Sequence, residues 1–115
     1  MDARPADRGR TTEKRAVDRA LRLMVRRIVV QFAPERIILF GSRARGDARS
    51  DSDYDIAVFL KFLPDRWPEL DRMADLRVRF IDETGVFFDA RPYPATAYRD
   101  HSPLMHEIRR EGLDV

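Results

Sequence analysis

The sequence FGSRARGDARSDSDYDI, residues 40–56, decides how the rest of the chain is interpreted. It opens with the pair Gly41-Ser42 and, after ten intervening residues, reaches two aspartates, Asp53 and Asp55, at the head of an apolar run. This run, residues 53–60, is rich in β-branched and aromatic side chains and therefore favours a strand. Side chains two apart in a strand point to the same face, so the two carboxylates should lie side by side.

The paired carboxylates predict a metal site. Two anions held together repel each other unless one is protonated or a cation lies between them. Hard divalent cations such as Mg2+ take carboxylate oxygens as ligands. We therefore expect Asp53 and Asp55 to bind metal.

Two other interpretations start from the same aspartates. Segments rich in Asp and Ser commonly form turns or caps with no further function. The alternation of Asp51, Asp53 and Asp55 also suggests a calcium-binding loop. Such a loop needs Gly at its sixth position and Glu at its twelfth, where this chain has Ile56 and Phe62. The calcium loop is thereby excluded, whereas the turn or cap stays open.

The segment before the aspartates predicts a phosphate-binding turn. Residues 36–40 form a short apolar run that ends at Gly41, as a buried strand ends in a tight turn. If Ser42 begins a helix, the free N–H groups of that helix and the Ser42 hydroxyl can hold a phosphate, and Gly41 leaves room for it to approach. Arg43 and Arg45 can neutralise triphosphate charge, or else pair with nearby aspartates or lie on the surface. These parts together fit a metal-bound nucleoside triphosphate.

Apolar periodicity and turn residues predict the other elements. Residues 1–11 mix charges with Pro5 and Gly9 and are expected to form a disordered arm, which leaves residues 12–115 as the folded domain. The predicted elements are a helix over 12–32, a strand over 35–40, a short helix over 42–45, a strand over 53–60, a helix over 68–84, a strand over 86–91 and a helix over 103–111. This order indicates a single α/β (α+β) domain with about four helices on a short mixed sheet.

The third predicted strand contains one further candidate, Asp89. An aspartate within so apolar a strand is costly to bury without compensation, which a metal ion or an arginine would relieve. An ordinary salt-bridged or edge-strand aspartate is the alternative. Pro92 and Pro94 are expected to end this strand. Trp67, near the start of the preceding helix, can stack on a nucleobase or pack at the surface.

Composition limits the class of protein. At 115 residues and 13.5 kDa the chain has room for one core. The formal net charge of +2 gives no argument for nucleic-acid binding, which is not expected. The absence of cysteine excludes disulfides and thiolate metal sites. No apolar run approaches the roughly 20 residues of a membrane span, and no signal peptide is visible, so a cytoplasmic protein without membrane association is expected.

The motif resembles that of a known superfamily. Gly-Ser, ten residues and Asp-x-Asp, with Ala44-Arg45-Gly46 and Ser52-Asp53 inside the pattern, is similar to the nucleotidyltransferase superfamily that includes DNA polymerase beta. More narrowly, the chain resembles the minimal nucleotidyltransferases, the short antitoxin partners of HEPN-domain toxins. The resemblance implies the nucleotidyltransferase fold, with Asp89 as a third carboxylate on the strand beside Asp53 and Asp55.

The same resemblance implies an activity and a partner. The three aspartates would bind two Mg2+ ions, and AMP would pass from ATP to a tyrosine hydroxyl of a HEPN toxin, which AMPylation silences. Two alternatives stay open: a catalytic subunit that modifies a small molecule of the aminoglycoside type, and an antitoxin that neutralises by binding alone. The three carboxylates count against the second, because a pure binding module does not need them. A homo- or hetero-oligomer is also open.

Overall fold

The structure is a computed structural model that describes the backbone of residues 5–115 and the side chains of residues 19–115. The elements in chain order are α1 (Pro5–Phe32), β1 (Arg36–Phe40), α2 (Ser42–Arg45), β2 (Tyr54–Leu60), α3 (Arg66–Thr84), β3 (Phe88–Pro94), a 3-10 helix (Ala95–Arg99), α4 (Pro103–Glu111) and β4 (Leu113–Asp114). In this part of the chain, no helix combines the length and the apolar character needed to cross a membrane.

The strands form one mixed sheet in the order β3-β2-β1-β4. β1 is antiparallel to both β2 and β4, whereas β2 and β3 run parallel. A parallel pair needs a long crossover connection, which α3 provides. Within residues 5–115, a four-stranded mixed sheet with four α-helices confirms the predicted fold class.

Each face of the sheet is covered by its own helices. On one face, buried residues of α1 and α3 pack against alternate residues of the strands; they include Met24, Ile28, Met73, Phe80, Leu39, Ile56 and Phe88. On the other face, α4 packs with the remaining strand residues, namely Met105 and Ile108 against Ile38, Ala57, Phe59 and Tyr93. The period-2 alternation of strand side chains therefore assigns every residue of β2 to the α1–α3 side or to the α4 side.

Several helix boundaries agree with the prediction and two do not. α1 ends at Phe32 as predicted, and α2 and α4 have the predicted bounds. α3 begins at Arg66 rather than Pro68, because the Asp65 side chain accepts a hydrogen bond from the Trp67 N–H at 3.1 Å and caps the helix earlier.

The observed start of α1 corrects the predicted start of this helix at residue 12. The helix begins at Pro5, so residues 5–11 of the predicted disordered arm are helical, while residues 1–4 lie outside the described residues. Proline suits the first turn of a helix, where its missing N–H has no intrahelical partner. Adding turns to a helix that has already formed costs far less than nucleating one, so the segment needs no apolar face of its own.

The third strand also differs from its predicted bounds of 86–91. β3 runs from Phe88 to Pro94, with Pro92 paired to Val58 and Pro94 to Leu60. The expectation that Pro92 and Pro94 end the strand was therefore wrong. β3 lies at the edge of the sheet with β2 as its neighbour, and an edge strand tolerates proline because the missing N–H faces away from the ladder.

Candidate active site

Two of the predicted carboxylates face each other at one end of the sheet. The β2–β3 register pairs Asp55 with Asp89, and the β1–β2 register pairs Asp55 with Phe40. Strand alternation places both aspartates on the α4 side, since their neighbours Tyr54 and Phe88 are buried on the α1–α3 side. Both side chains are half-buried. The structure thus brings together residues 34 positions apart, in the arrangement predicted for them.

The electrostatics of this pair follow from burial and repulsion. Burial is the main cause that raises the pKa of Asp55, and the negative charges of Asp89 and then Asp53 raise it further, while Arg91 opposes the rise. Ionised Asp55 is therefore costly in this position, and a cation placed beside it would offset that cost.

Asp53 occupies a different position from the other two. It lies one residue before β2, is exposed, and is not among the residues that line the cleft described below. The predicted strand began at residue 53, whereas the observed one begins at Tyr54. The negative charge of Asp53 adds to the rise in the pKa of Asp55, after burial and the charge of Asp89.

The turn after β1 brings backbone against the Asp55 carboxylate. Gly41 has φ 73° and ψ −157°, a region that residues with a side chain rarely adopt. A Cβ at this position would lie 2.5 Å from Oδ2 of Asp55. Ser42 begins α2, a single turn in which the Gly41 carbonyl accepts hydrogen bonds from the N–H groups of Ala44 and Arg45 at 3.1 and 3.0 Å. Glycine is therefore required here both by conformation and by space.

These elements enclose one side of a cleft of about 430 Å³. It is lined by Phe40, Gly41, Ser42, Arg45, Asp55, Asp89, Arg91, Tyr93, Leu104 and Glu107. Its volume lies within the range of about 300–1,000 Å³ found for small-molecule sites. A larger hollow of about 500 Å³ beside α1 contains none of the predicted site residues, so the chemistry favours the smaller cleft.

The two predicted phosphate-binding arginines have different surroundings. Arg43 donates to the carbonyl oxygens of Ser52 at 2.9 Å and Ser50 at 3.2 Å, and its guanidinium lies over the Tyr54 ring. Arg43 thus holds the loop before β2, and it does not line the cleft.

Arg45 does line the cleft, where its guanidinium contacts acidic groups. It pairs with Asp47 at 3.1 Å and with Glu111 at 3.2 Å, which matches the alternative that it partners a nearby aspartate. The role of Arg43 and Arg45 in binding a triphosphate stays a prediction.

Arg91 is one of the cleft residues that sequence reasoning missed. Its Nη2 lies 3.2 Å from Oδ2 of Asp89, and its Nε donates to the same carboxylate at 3.3 Å. A signal existed, because Arg91 is two residues after Asp89 and shares its face of β3. Glu107 and Leu104 of α4 carried no such signal, since their approach to the cleft depends on how α4 packs.

The donor atoms suit a hard cation, although the aspartates alone do not form a closed metal site. Among residues 19–115, no three His, Cys, Asp or Glu side chains are grouped closely enough to hold an ion. Carboxylate oxygens at Asp55 and Asp89 nevertheless have the chemistry that Mg2+ prefers. The pKa of Asp55 is raised first by burial and then by repulsion from Asp89, and an ion would offset both. Trp67 is 71% exposed and lies outside the cleft lining.

Comparisons with known proteins agree with this fold. No curated protein matches the chain. Among solved structures, the chain is similar to a crystal structure of a toxin-antitoxin with AMP-PNP, at 22% identity over 79% of this chain and 68% of that one, with a TM-score of 0.52. It is also similar to a candidate minimal nucleotidyltransferase, at 22% identity over 100% of both chains, with a TM-score of 0.51. At this identity the likeness concerns the fold.

A third solved structure, a candidate nucleotidyltransferase from Sulfolobus solfataricus, is 25% identical over 86% of this chain and 84% of that one, with a TM-score of 0.46. The family model described as "Polymerase beta, Nucleotidyltransferase" matches residues 25–90, a range that exceeds half of the chain and contains Gly41, Ser42 and all three aspartates. The chain therefore belongs to the polymerase beta nucleotidyltransferase family.

Proposed function

We propose that this protein transfers AMP from ATP to a hydroxyl group, a tyrosine of a partner HEPN-domain toxin, and thereby acts as an antitoxin. The pairing of Asp55 with Asp89 beside the Gly41 turn, in one cleft, is the observation that carries the proposal. A toxin partner and an adenine nucleotide are supported by the similarity to a toxin-antitoxin structure with AMP-PNP.

The residues of the cleft divide into a phosphate side and a carboxylate side. On the phosphate side, the Gly41-Ser42 turn would hold the triphosphate, with Arg45 as a countercharge at the cleft wall. On the carboxylate side, Asp53, Asp55 and Asp89 would hold Mg2+. The bound ions would neutralise charge on the triphosphate and lower the pKa of the acceptor hydroxyl.

The proposed chemical step is a displacement at the α-phosphorus. The acceptor oxygen forms a bond to this phosphorus, the bond from the phosphorus to the bridging oxygen of the β-phosphate breaks, and pyrophosphate leaves with the electron pair. The hydroxyl proton passes to the Asp89 carboxylate, whose side chain is 33% exposed and thus reachable from the cleft. The guanidinium of Arg91 pairs with Asp89 and offsets part of the negative charge of the cleft carboxylates.

The experiment that tests the proposal follows the label of ATP labelled at the α-phosphate. The protein is incubated with Mg2+ and the protein encoded beside it, and wild type is compared with Asp53→Ala/Asp55→Ala. Asp51→Ala/Asp71→Ala is a matched control, because it removes two exposed aspartates that do not line the cleft. We expect label on the partner's tyrosine with wild type and with the control, and no label with the site variant.

Two other results would overturn the proposal. Label on a small molecule with none on the partner would replace the toxin with a different acceptor. No label from any nucleotide, together with unchanged toxin neutralisation by the site variant, would mean that the protein acts by binding alone.

A further inference from the structure

The outward side of α1 combines positive charge with exposed apolar surface. Among residues 19–32, the exposed residues on the side of the helix opposite the buried Met24 and Ile28 are Arg19, Arg22, Arg26, Val29 and Val30. Their spacing of three, four, three and one places them on a single face of the helix. Val30 is 82% exposed and Val29 is 49% exposed. We call this surface the basic face.

The outward side of α3 carries the opposite charge. Its exposed residues, on the side opposite the buried Met73 and Phe80, include Trp67, Asp71, Asp75, Val78 and Asp82. Trp67 and Val78 are eleven residues apart, close to three helical turns, and so lie on the same line along the helix. They are 71% and 60% exposed. We call this surface the acidic face.

The two faces lie side by side on one surface of the molecule. α1 and α3 cover the same side of the sheet. Near one end of the contact, Arg27 pairs with Glu83, and near the other, Arg72 donates to the Gln31 carbonyl. The numbering rises along one helix as it falls along the other, so the helices are antiparallel neighbours. The groove between them is lined by Val30, Leu76 and Arg79, among others.

This pair of neighbouring faces is complementary to itself. We propose that a second copy of this chain docks on the α1–α3 layer, about a two-fold axis that runs along and between the two helices. The axis places the basic face of each copy on the acidic face of the other, so that arginines of one copy face aspartates of the other. A two-fold axis across the helices would instead place basic on basic, which charge repulsion disfavours.

The proposed contact leaves both clefts open, because Asp55 and Asp89 lie on the α4 side of the sheet, away from the α1–α3 layer. Docking therefore does not depend on the proposed transfer reaction. Sedimentation tests docking and label transfer tests the reaction, so each proposal can fail without the other.

The test uses two charge-reversal variants of the full chain and sedimentation velocity over a concentration series. Arg22→Glu/Arg26→Glu reverses the basic face, and Asp75→Arg/Asp82→Arg reverses the acidic face. Each variant alone is expected to weaken the dimer roughly tenfold or more. An equimolar mixture of the two should dimerise again, since one contact then pairs two reversed faces and the other pairs two native faces.

Arg99→Glu/Arg110→Glu is the matched control for the basic-face variant, because it makes the same change of charge at exposed arginines outside α1 and α3. It should dimerise as wild type does, and circular dichroism verifies that every variant is folded. A wild type that stays monomeric throughout the series, a reversal variant that dimerises normally, or a mixture that stays monomeric would each overturn the proposal.

Discussion

Replacing Gly41 by alanine should damage both the stability of the protein and its cleft. The substitution adds a single Cβ at a residue where the backbone and the neighbouring side chain both oppose it. The backbone angles φ 73° and ψ −157° belong to a region that is almost restricted to glycine. The added atom would also lie 2.5 Å from Oδ2 of Asp55, closer than Cβ atoms approach other heavy atoms.

The magnitude follows from these two penalties. Holding a residue other than glycine in this region costs about 1–3 kcal/mol. Forcing the Asp55 side chain or the turn to shift adds about 1–3 kcal/mol, as overpacking does elsewhere. The free energy of unfolding should therefore fall by about 2–6 kcal/mol, and Tm by about 10 °C or more for a domain of this size.

A double-mutant cycle separates the two penalties. Urea unfolding is measured for wild type, Gly41→Ala, Asp55→Ala and the double variant. Because Asp55→Ala removes the carboxylate that the new Cβ would meet, the double variant should recover about 1–3 kcal/mol relative to the sum of the single changes. Gly46→Ala is the control: Gly46 has φ 86°, but a Cβ there would meet no atom within 4 Å, so only the backbone penalty applies.

Either of two results would refute the close approach of Gly41 to the Asp55 carboxylate. One is a Gly41→Ala variant that loses no more stability than Gly46→Ala. The other is a coupling energy between Gly41 and Asp55 that does not differ from zero within the usual error of about 0.3–0.5 kcal/mol.

Three other changes have defined outcomes. Burial, followed by repulsion from Asp89, raises the pKa of Asp55 above 3.8. The protonated form of Asp55 therefore stabilises the fold at low pH, and this stability is lost as the pH rises through the raised pKa. Asp55→Asn should therefore raise Tm at neutral pH, measured by scanning fluorimetry across pH, and abolish transfer; an unchanged or lower Tm would contradict the assigned environment. Arg91→Gln should free Asp89 from its ion pair and tighten Mn2+ binding measured by electron paramagnetic resonance, whereas unchanged affinity would mean that Arg91 does not compete with metal. Gly112→Ala should lower the unfolding free energy by about 1–3 kcal/mol in urea, because its Cβ would overlap the Ile108 carbonyl oxygen and the Ile38 side chain; a variant as stable as wild type would contradict this packing.

Much of the fold was predictable because its signals are local. Apolar periodicity placed the end of α1 at Phe32, and Pro103 with Gly112 bounded α4 correctly. The errors arose where a local signal is overridden by a neighbour. Pro92 and Pro94 indicated the end of a strand, but the effect of a proline depends on whether its strand lies at the edge of the sheet. That position is a property of the whole topology and is not visible in the residues around the proline.

The candidate site shows the same division. Gly41, Ser42, Asp53 and Asp55 lie in one short motif whose spacing carries the prediction. Arg91 could have been found from the alternation of side chains along a strand, which is the argument that grouped Asp53 with Asp55. Glu107 and Leu104 could not, because they reach the cleft from α4, whose placement depends on packing of Met105 and Ile108 against the α4 side of the sheet.

The pairing of Asp55 with Asp89 depends on the register between β2 and β3, and that register is held from the opposite face. A slip of one residue would turn Asp89 to the α1–α3 side, because side chains alternate along a strand. The neighbouring pair Tyr54 and Phe88 opposes such a slip, since their rings stack with centroids 4.7 Å apart and are fully buried against α1 and α3. Phe80 of α3 adds an edge contact to the Phe88 ring at 5.0 Å. The apolar core on one side of the sheet thus positions the carboxylates on the other, so a core substitution at Phe88 should disturb the cleft without touching it.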